Sequence, residues 1–162
     1  MAVKILDVKR ESHPAVRFIG KRYIDDGSHW GEWWEKGWFS VLEGVPGLLP
    51  MNEEGNYALM RIVDGMLEYW IGMFFDRTAE APEGFEYVDI EPLEYAVFYR
   101  QGNEHNGELY GLEPHNMCLE ELARRGWKRR EDFWCFERYN CPRFTTPDEN
   151  GNVILDYGIS IE

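Results

Sequence analysis

Apolar residues recur at every second position through most of this chain, and the alternation breaks only at a few punctuated places. Tyr57 to Val63 and Met66 to Phe75 are two such runs, separated by Asp64-Gly65, a two-residue pair that favours the positive φ angles of a tight hairpin. On the second run Leu67, Tyr69, Ile71 and Met73 share one face, and Trp70, Gly72 and Phe74 the other. Val3 to Lys9, Ala15 to Ile24, Phe85 to Ile90, Glu94 to Arg100 and Val153 to Ile161 carry the same period. On the last of these, Ile154, Asp156, Gly158 and Ser160 make a face that reads as half wet.

The period changes twice. Asp26-Gly27-Ser28 supplies a turn and a cap, after which Trp30, Trp33, Trp34, Trp38 and Val41 fall at helical spacing, predicting one amphipathic helix over 29–42. Its tryptophan stripe suits plain core packing, and it suits a flat wall for a planar ligand as well. Pro114 opens a second helix, which carries Cys118, Leu119 and Leu122 on its buried face and stops at Gly126.

Each half, about 1–80 and about 84–162, therefore reads strand, strand, helix, strand, strand. The expected fold class is α+β, a single domain of duplicated β-α-β-β units. These would form one antiparallel sheet with two helices on one face and a ligand groove between them.

One stretch departs from simple alternation. In Asp132-Phe133-Trp134-Cys135-Phe136-Glu137-Arg138-Tyr139 both strand faces are largely apolar, which marks a strand covered on both sides and points Glu137 into an interior. A carboxylate taken out of water raises its pKa or finds a cation, and either outcome is common at functional positions. The alternatives are a solvated edge position or an internal ion pair with one of the arginines.

Composition adds two constraints. Seven Trp, nine Tyr and nine Phe in 162 residues exceed what the core needs, so some rings are expected to line a cavity. The formal net charge of −13 repels phosphate backbones and anionic lipid surfaces, which argues against direct nucleic-acid or membrane binding and suits cationic ligands. A basic protein partner is the other use of such a surface. The N-terminus lacks an apolar signal stretch, no apolar run approaches a membrane-spanning length, and Cys118, Cys135 and Cys141 form no C-x-x-C pair. A cytoplasmic protein with reduced, mostly buried cysteines is expected.

No phosphate loop, dinucleotide fingerprint, nucleophile elbow or zincin motif is present, and His13, His29, His105 and His115 are scattered, as surface or loop residues would be. No cofactor and no metal are expected. What remains is an acid among aromatic rings, a receptor for a lipophilic cation or a general acid or base of raised pKa.

Several segments together resemble a known family. Glu94-Tyr95-Ala96-Val97-Phe98 leads to Gly102 and a helix. Phe136-Glu137-Arg138-Tyr139 and a final strand ending Ile159-Ser160-Ile161 follow, and Tyr69-Trp70-Ile71-Gly72 matches a first-half hairpin. The pattern is similar to the GyrI-like effector-binding domain, found as the ligand-binding half of AraC- and MerR-type multidrug regulators, as stand-alone proteins and as a gyrase inhibitor. The resemblance implies a duplicated β-α-β-β fold in its stand-alone form, with Glu137 as the pocket carboxylate and Tyr69, Trp70, Trp34, Phe98, Tyr139 and Tyr157 as candidate ligand-binding walls for a planar, lipophilic, cationic compound. Some relatives hydrolyse strained cyclopropane-type cytotoxins without metal or cofactor, so Glu137 and Tyr69 become candidate catalytic residues under that alternative. The third alternative is an acidic interaction module that docks a basic regulator.

Overall fold

The structure, a computed structural model, describes residues 3–105, 107–131 and 134–162. Eight strands form one sheet in which every pairing is antiparallel: β1 (Lys4–His13), β2 (Val16–Ile24), β3 (Asn56–Val63), β4 (Met66–Phe75), β5 (Glu86–Ile90), β6 (Leu93–Asn103), β7 (Cys135–Tyr139) and β8 (Asn152–Ile161). Their order across the sheet is β1-β6-β8-β7-β3-β4-β2-β5. The α+β expectation holds. The expected hairpin is also present, with Asp64 and Gly65 both at positive φ between β3 and β4. Asp132 and Phe133, which opened the stretch around Glu137, lie outside the described residues, and β7 is described from Cys135 onward.

The helical layer differs from expectation. Instead of one helix over 29–42 there are two short ones, α1 (Trp30–Glu35) and α2 (Trp38–Glu43), and α3 (Leu112–Arg124) makes the third. The break falls at Gly37, whose φ of +67° lies in the left-handed region that ends a helix and that side chains with a Cβ adopt at a cost. The tryptophan stripe is consequently split: Trp33 is fully buried, whereas Trp34 is 61% exposed and Val41 also faces solvent. Trp33 is fixed by a hydrogen bond from its indole Nε1 to the Tyr23 hydroxyl on β2, at 3.1 Å.

All three helices cover the same face of the sheet. Trp33, Phe39 and Leu42 from α1 and α2, and Cys118 and Leu122 from α3, share one core with Ile19, Ala58, Ile71, Phe98, Tyr157 and Ile159. The opposite face carries a second core of Val16, Phe18, Tyr57, Leu59, Trp70, Phe74, Tyr95, Val97 and Phe136.

Connectivity explains how that second face is buried. Two residues, Pro14-Ala15, join β1 at one edge to β2 near the other. In a flat sheet these strands would lie about 29 Å apart. The chain from His13 to Val16 can reach only about 11 Å. Glu91-Pro92 imposes the same condition between β5 and β6. The sheet must therefore curl, bringing its two ends together over their shared apolar face. His13, expected near the surface, is in fact buried where the curl closes, its ring stacked on Phe136 at 5.5 Å and edge-on to Phe74 at 6.1 Å.

The same curl corrects the half-wet reading of β8: Asp156, Gly158 and Ser160 are buried. Asp156 meets this burial through the guanidinium groups of Arg138 at 2.8 Å and Arg143 at 2.6 Å, while Arg138 also donates to Glu11 at 2.7 Å. Among the described residues no helix is long and apolar enough to cross a membrane.

Candidate ligand-binding site

Between α1 and the start of α3, the helical face opens into a cavity of about 910 Å³. Its floor is sheet: Met60 of β3, Tyr69 of β4, Cys135 and Glu137 of β7, and Tyr157 of β8. Trp30 and Trp34 of α1 form one wall, Leu112 and His115 of α3 the other, and Tyr110, Phe144 and Thr145 come from loops. Glu137 stands where the alternation of β7 places it, on the same face as Cys135 and Tyr139. Across the β7–β3 pairing its partner is Ala58, whose small side chain leaves room for a carboxyl group at the centre of the sheet.

The carboxyl is 8% exposed and is held by two phenols. The hydroxyls of Tyr69 and Tyr139 both donate to Oε1, each at 2.8 Å, and the indole Nε1 of Trp30 donates in turn to the Tyr69 hydroxyl at 3.0 Å. Oε2 receives no hydrogen bond among the described residues. Burial pushes the Glu137 pKa above the usual carboxylate range; the two phenols and the positive charge of Arg100 work in the opposite direction without cancelling the shift. The hydroxyl of Tyr69 is pushed well up, by burial and then by the neighbouring carboxylate, so it stays a donor throughout the physiological range.

The expected wall residues separate into two groups. Trp34, Tyr69, Tyr139 and Tyr157 line the cavity together with Glu137. Trp70 does not: on β4 it follows Tyr69, so its side chain enters the opposite core, where its indole donates to the carboxylate of Glu68. Phe98 is on the helical face but fully buried within the core shared with Cys118 and Leu122, away from the cavity lining.

Other lining residues went unnoticed in the sequence. Trp30 stood in the predicted stripe without being singled out, although it closes the hydrogen-bond chain to Glu137. His115, read as a surface residue, bonds through Nδ1 to the Tyr157 hydroxyl at 2.7 Å, and its pKa is lowered by burial and by the charges of Arg129 and Arg100. Arg100 packs its guanidinium 4.1 Å from the centre of the Tyr157 ring. No local motif announces these residues, because they come from separate elements. Among the described residues no group of three or more His, Cys, Asp or Glu side chains is placed to hold a metal ion.

No family model matches the chain, and neither does any curated protein. Solved structures do. SAV2435 bound to tetraphenylphosphonium superposes with a TM-score of 0.70 at 14% identity, covering 97% of this chain and 94% of that one. A proposed bacterial transcription regulation protein from Staphylococcus aureus MU50 gives 0.66 at 14% identity, with 96% and 98% covered. The C-terminal domain of EcmrR gives 0.61 at 12% identity, with 96% and 97% covered, and in the EcmrR–DNA complex the match spans 57% of the regulator's chain. The fold is that of the GyrI-like effector-binding domains.

Proposed function

We propose that this protein binds a planar, lipophilic small molecule in the aromatic cavity, with Glu137 receiving the ligand's positively charged or hydrogen-bond-donating group. The observation that carries the reading is the buried Glu137 carboxyl at the cavity floor, oriented by two phenols through one oxygen while the other has no hydrogen-bond donor among the described residues. Trp30, Trp34, Tyr69 and Tyr157 surround it with π surface, which attracts a flat cation and excludes water from the pair. The lipophilic cation bound to SAV2435 supports the same chemistry.

Titration of a flat cationic dye into wild type and Glu137→Gln tests the proposal. A desolvated counter-ion is worth about 2 kcal/mol or more of cation affinity, so the variant should bind at least about thirtyfold more weakly. Equal affinity in both proteins would remove Glu137 from recognition.

Two further features belong to the proposal. If the strands are renumbered by exchanging the first four with the last four, the sheet order reads the same backwards, and Tyr57 opposite Gly72 is matched by Phe136 opposite Gly158. These support a duplicated unit whose two copies meet at β3 and β7, with Glu137 beside the junction. The second feature is the raised pKa of Glu137 next to Tyr69, which favours a second reading, hydrolysis of a strained electrophile, in which the acid would activate water or protonate the leaving position. Incubation with a cyclopropane alkylator, followed by mass spectrometry, separates the two. Turnover above the buffer rate that disappears in Glu137→Gln supports the hydrolase; binding without turnover leaves the binder.

A further inference from the structure

Although the protein as a whole carries a formal charge of −13, the cavity does not. Among the described residues its lining holds a single acid, Glu137, against Arg61, Arg100 and Arg129. Arg61 is committed to Glu68 at 3.2 Å and lies over the Trp134 ring. The other two have no carboxylate within ion-pair distance among the described residues.

Arg100 is 1% exposed; it donates to the Leu109 carbonyl at 2.8 Å, and its Nε has no hydrogen-bond partner among the described residues. The buried Nε of Arg129 is likewise unpartnered. Arg100 is taken out of water, whereas Arg129 is half-buried with only its Nε sealed from solvent, and an anion supplied from outside would give the Arg129 guanidinium a partner.

Their place in the sheet sets a distance. Glu137 pairs with Tyr157, Cys135 with Ile159, and Arg129 bridges Ile161, all three along the same side of β8. From the Glu137 position to the Arg129 position is four residues of β8, about 13 Å. Along β8 the cavity thus carries an acidic point at Glu137 and a basic point at Arg129, both in its aromatic lining. His115, hydrogen-bonded to Tyr157, is held toward the neutral form by burial and then by the charges of Arg129 and Arg100.

We propose that the ligand is amphoteric, with a flat apolar body, a cationic or donor group at Glu137, and a carboxylate or similar anionic acceptor held by Arg129, whose backbone position lies four residues, about 13 Å, further along β8. This rests on the small-molecule reading above and narrows it: a plain lipophilic cation fills only half of the polar recognition that the cavity offers. Arg100, packed against the Tyr157 ring, stands on the Glu137 side, opposite Leu155 of β8, where its charge favours the ionised carboxyl.

The test uses a matched pair of flat dyes, carboxystyryl-N-methylpyridinium and its methyl ester. They share the cationic ring and the body, differ by one negative charge, and have a length close to the Glu137-to-Arg129 spacing. Isothermal titration calorimetry on the full chain gives the affinity of each. Wild type is expected to bind the free acid at least about tenfold more tightly than the ester. Arg129→Gln should erase that preference and leave the ester within about threefold of its wild-type affinity. Arg129→Lys, which keeps the charge, should retain most of the preference, and thermal melts establish that each variant is folded.

An ester that binds as well as the acid and depends on Glu137 would overturn this inference while leaving the small-molecule reading in place. Loss of both dyes to the same degree in folded Arg129→Gln would overturn it too, since the arginine would then be acting on the cavity's shape. Failure of wild type to bind either dye would overturn both readings.

Discussion

Tyr139→Phe isolates one of the two phenols that hold the Glu137 carboxyl. The Tyr139 hydroxyl donates to Oε1 at 2.8 Å, and deleting it leaves the ring to pack on Trp30 and Phe144 as before. A hydrogen bond to an ionised acceptor contributes about 1.5–3 kcal/mol, and one to a neutral acceptor about 0.5–1.5 kcal/mol. The variant should therefore disfavour the carboxylate relative to the protonated acid by about 1–1.5 kcal/mol, close to a tenfold change in the ionisation constant. The direction is upward, adding to an elevation that burial already causes. Carbon-13 NMR of protein labelled at glutamate Cδ follows the titration, with Glu137→Gln identifying the resonance. A midpoint that stays in place, or moves down, would refute the claim that this hydroxyl stabilises the charged form. Tyr69→Phe should shift the midpoint in the same direction and also lower the melting temperature more, because the Trp30 Nε1 then loses its acceptor. An orphaned buried donor costs about 1–3 kcal/mol, and for a chain of this size each kcal/mol is worth about 2–4 °C.

Three further outcomes follow from burial and charge. Because the folded-state pKa of Glu137 lies above its ordinary value of 4.5, the native state holds this proton more tightly than the unfolded chain, and stability is lost as pH rises from about that value through the folded pKa. Glu137→Gln removes this loss, so its melting temperature should exceed that of wild type at pH 8 and converge with it toward pH 4; a variant less stable at pH 8 would contradict the sign. Asp156→Asn strips the carboxylate from fully buried Arg138 and from Arg143, which should cost about 3–5 kcal/mol in urea denaturation, with binding at the cavity affected far less. A Cβ at position 158 would sit 2.2 Å from the Phe136 ring, so Gly158→Ala should cost about 1–3 kcal/mol by displacing that ring from the curled face; an unchanged melt would show that the ring moves freely.

Much of the fold was legible because it depends on local chemistry. Alternation located seven of the eight strands, Asp64-Gly65 fixed the hairpin, and the two-sided apolarity of β7 marked the eighth and pointed to a buried Glu137, since each of these is a consequence of side-chain direction along an extended backbone. Residues Tyr69, Tyr139, Tyr157 and Trp34 could be named because aromatic side chains in such numbers had to face either a core or a cavity. The same rule of alternation stated that Tyr69 and Trp70 face opposite ways, and it carried no information about which face would hold the cavity.

That choice was made by tertiary structure. The helices settle on the face of Tyr69, while the two-residue links at Pro14-Ala15 and Glu91-Pro92 draw the sheet's ends together over Trp70 and bury the face that looked half wet. The break at Gly37 turned a continuous stripe into a buried Trp33 and an exposed Trp34, a difference of backbone conformation that helical periodicity does not encode. His115, Arg100 and Arg129 reach the cavity from three separate elements, so no local pattern in the sequence brings them together. Sequence thus fixed which side chains could lie together on one strand; only the packing of distant segments decided which of them share a cavity, because proximity across a sheet is set by topology and by the closing of its ends.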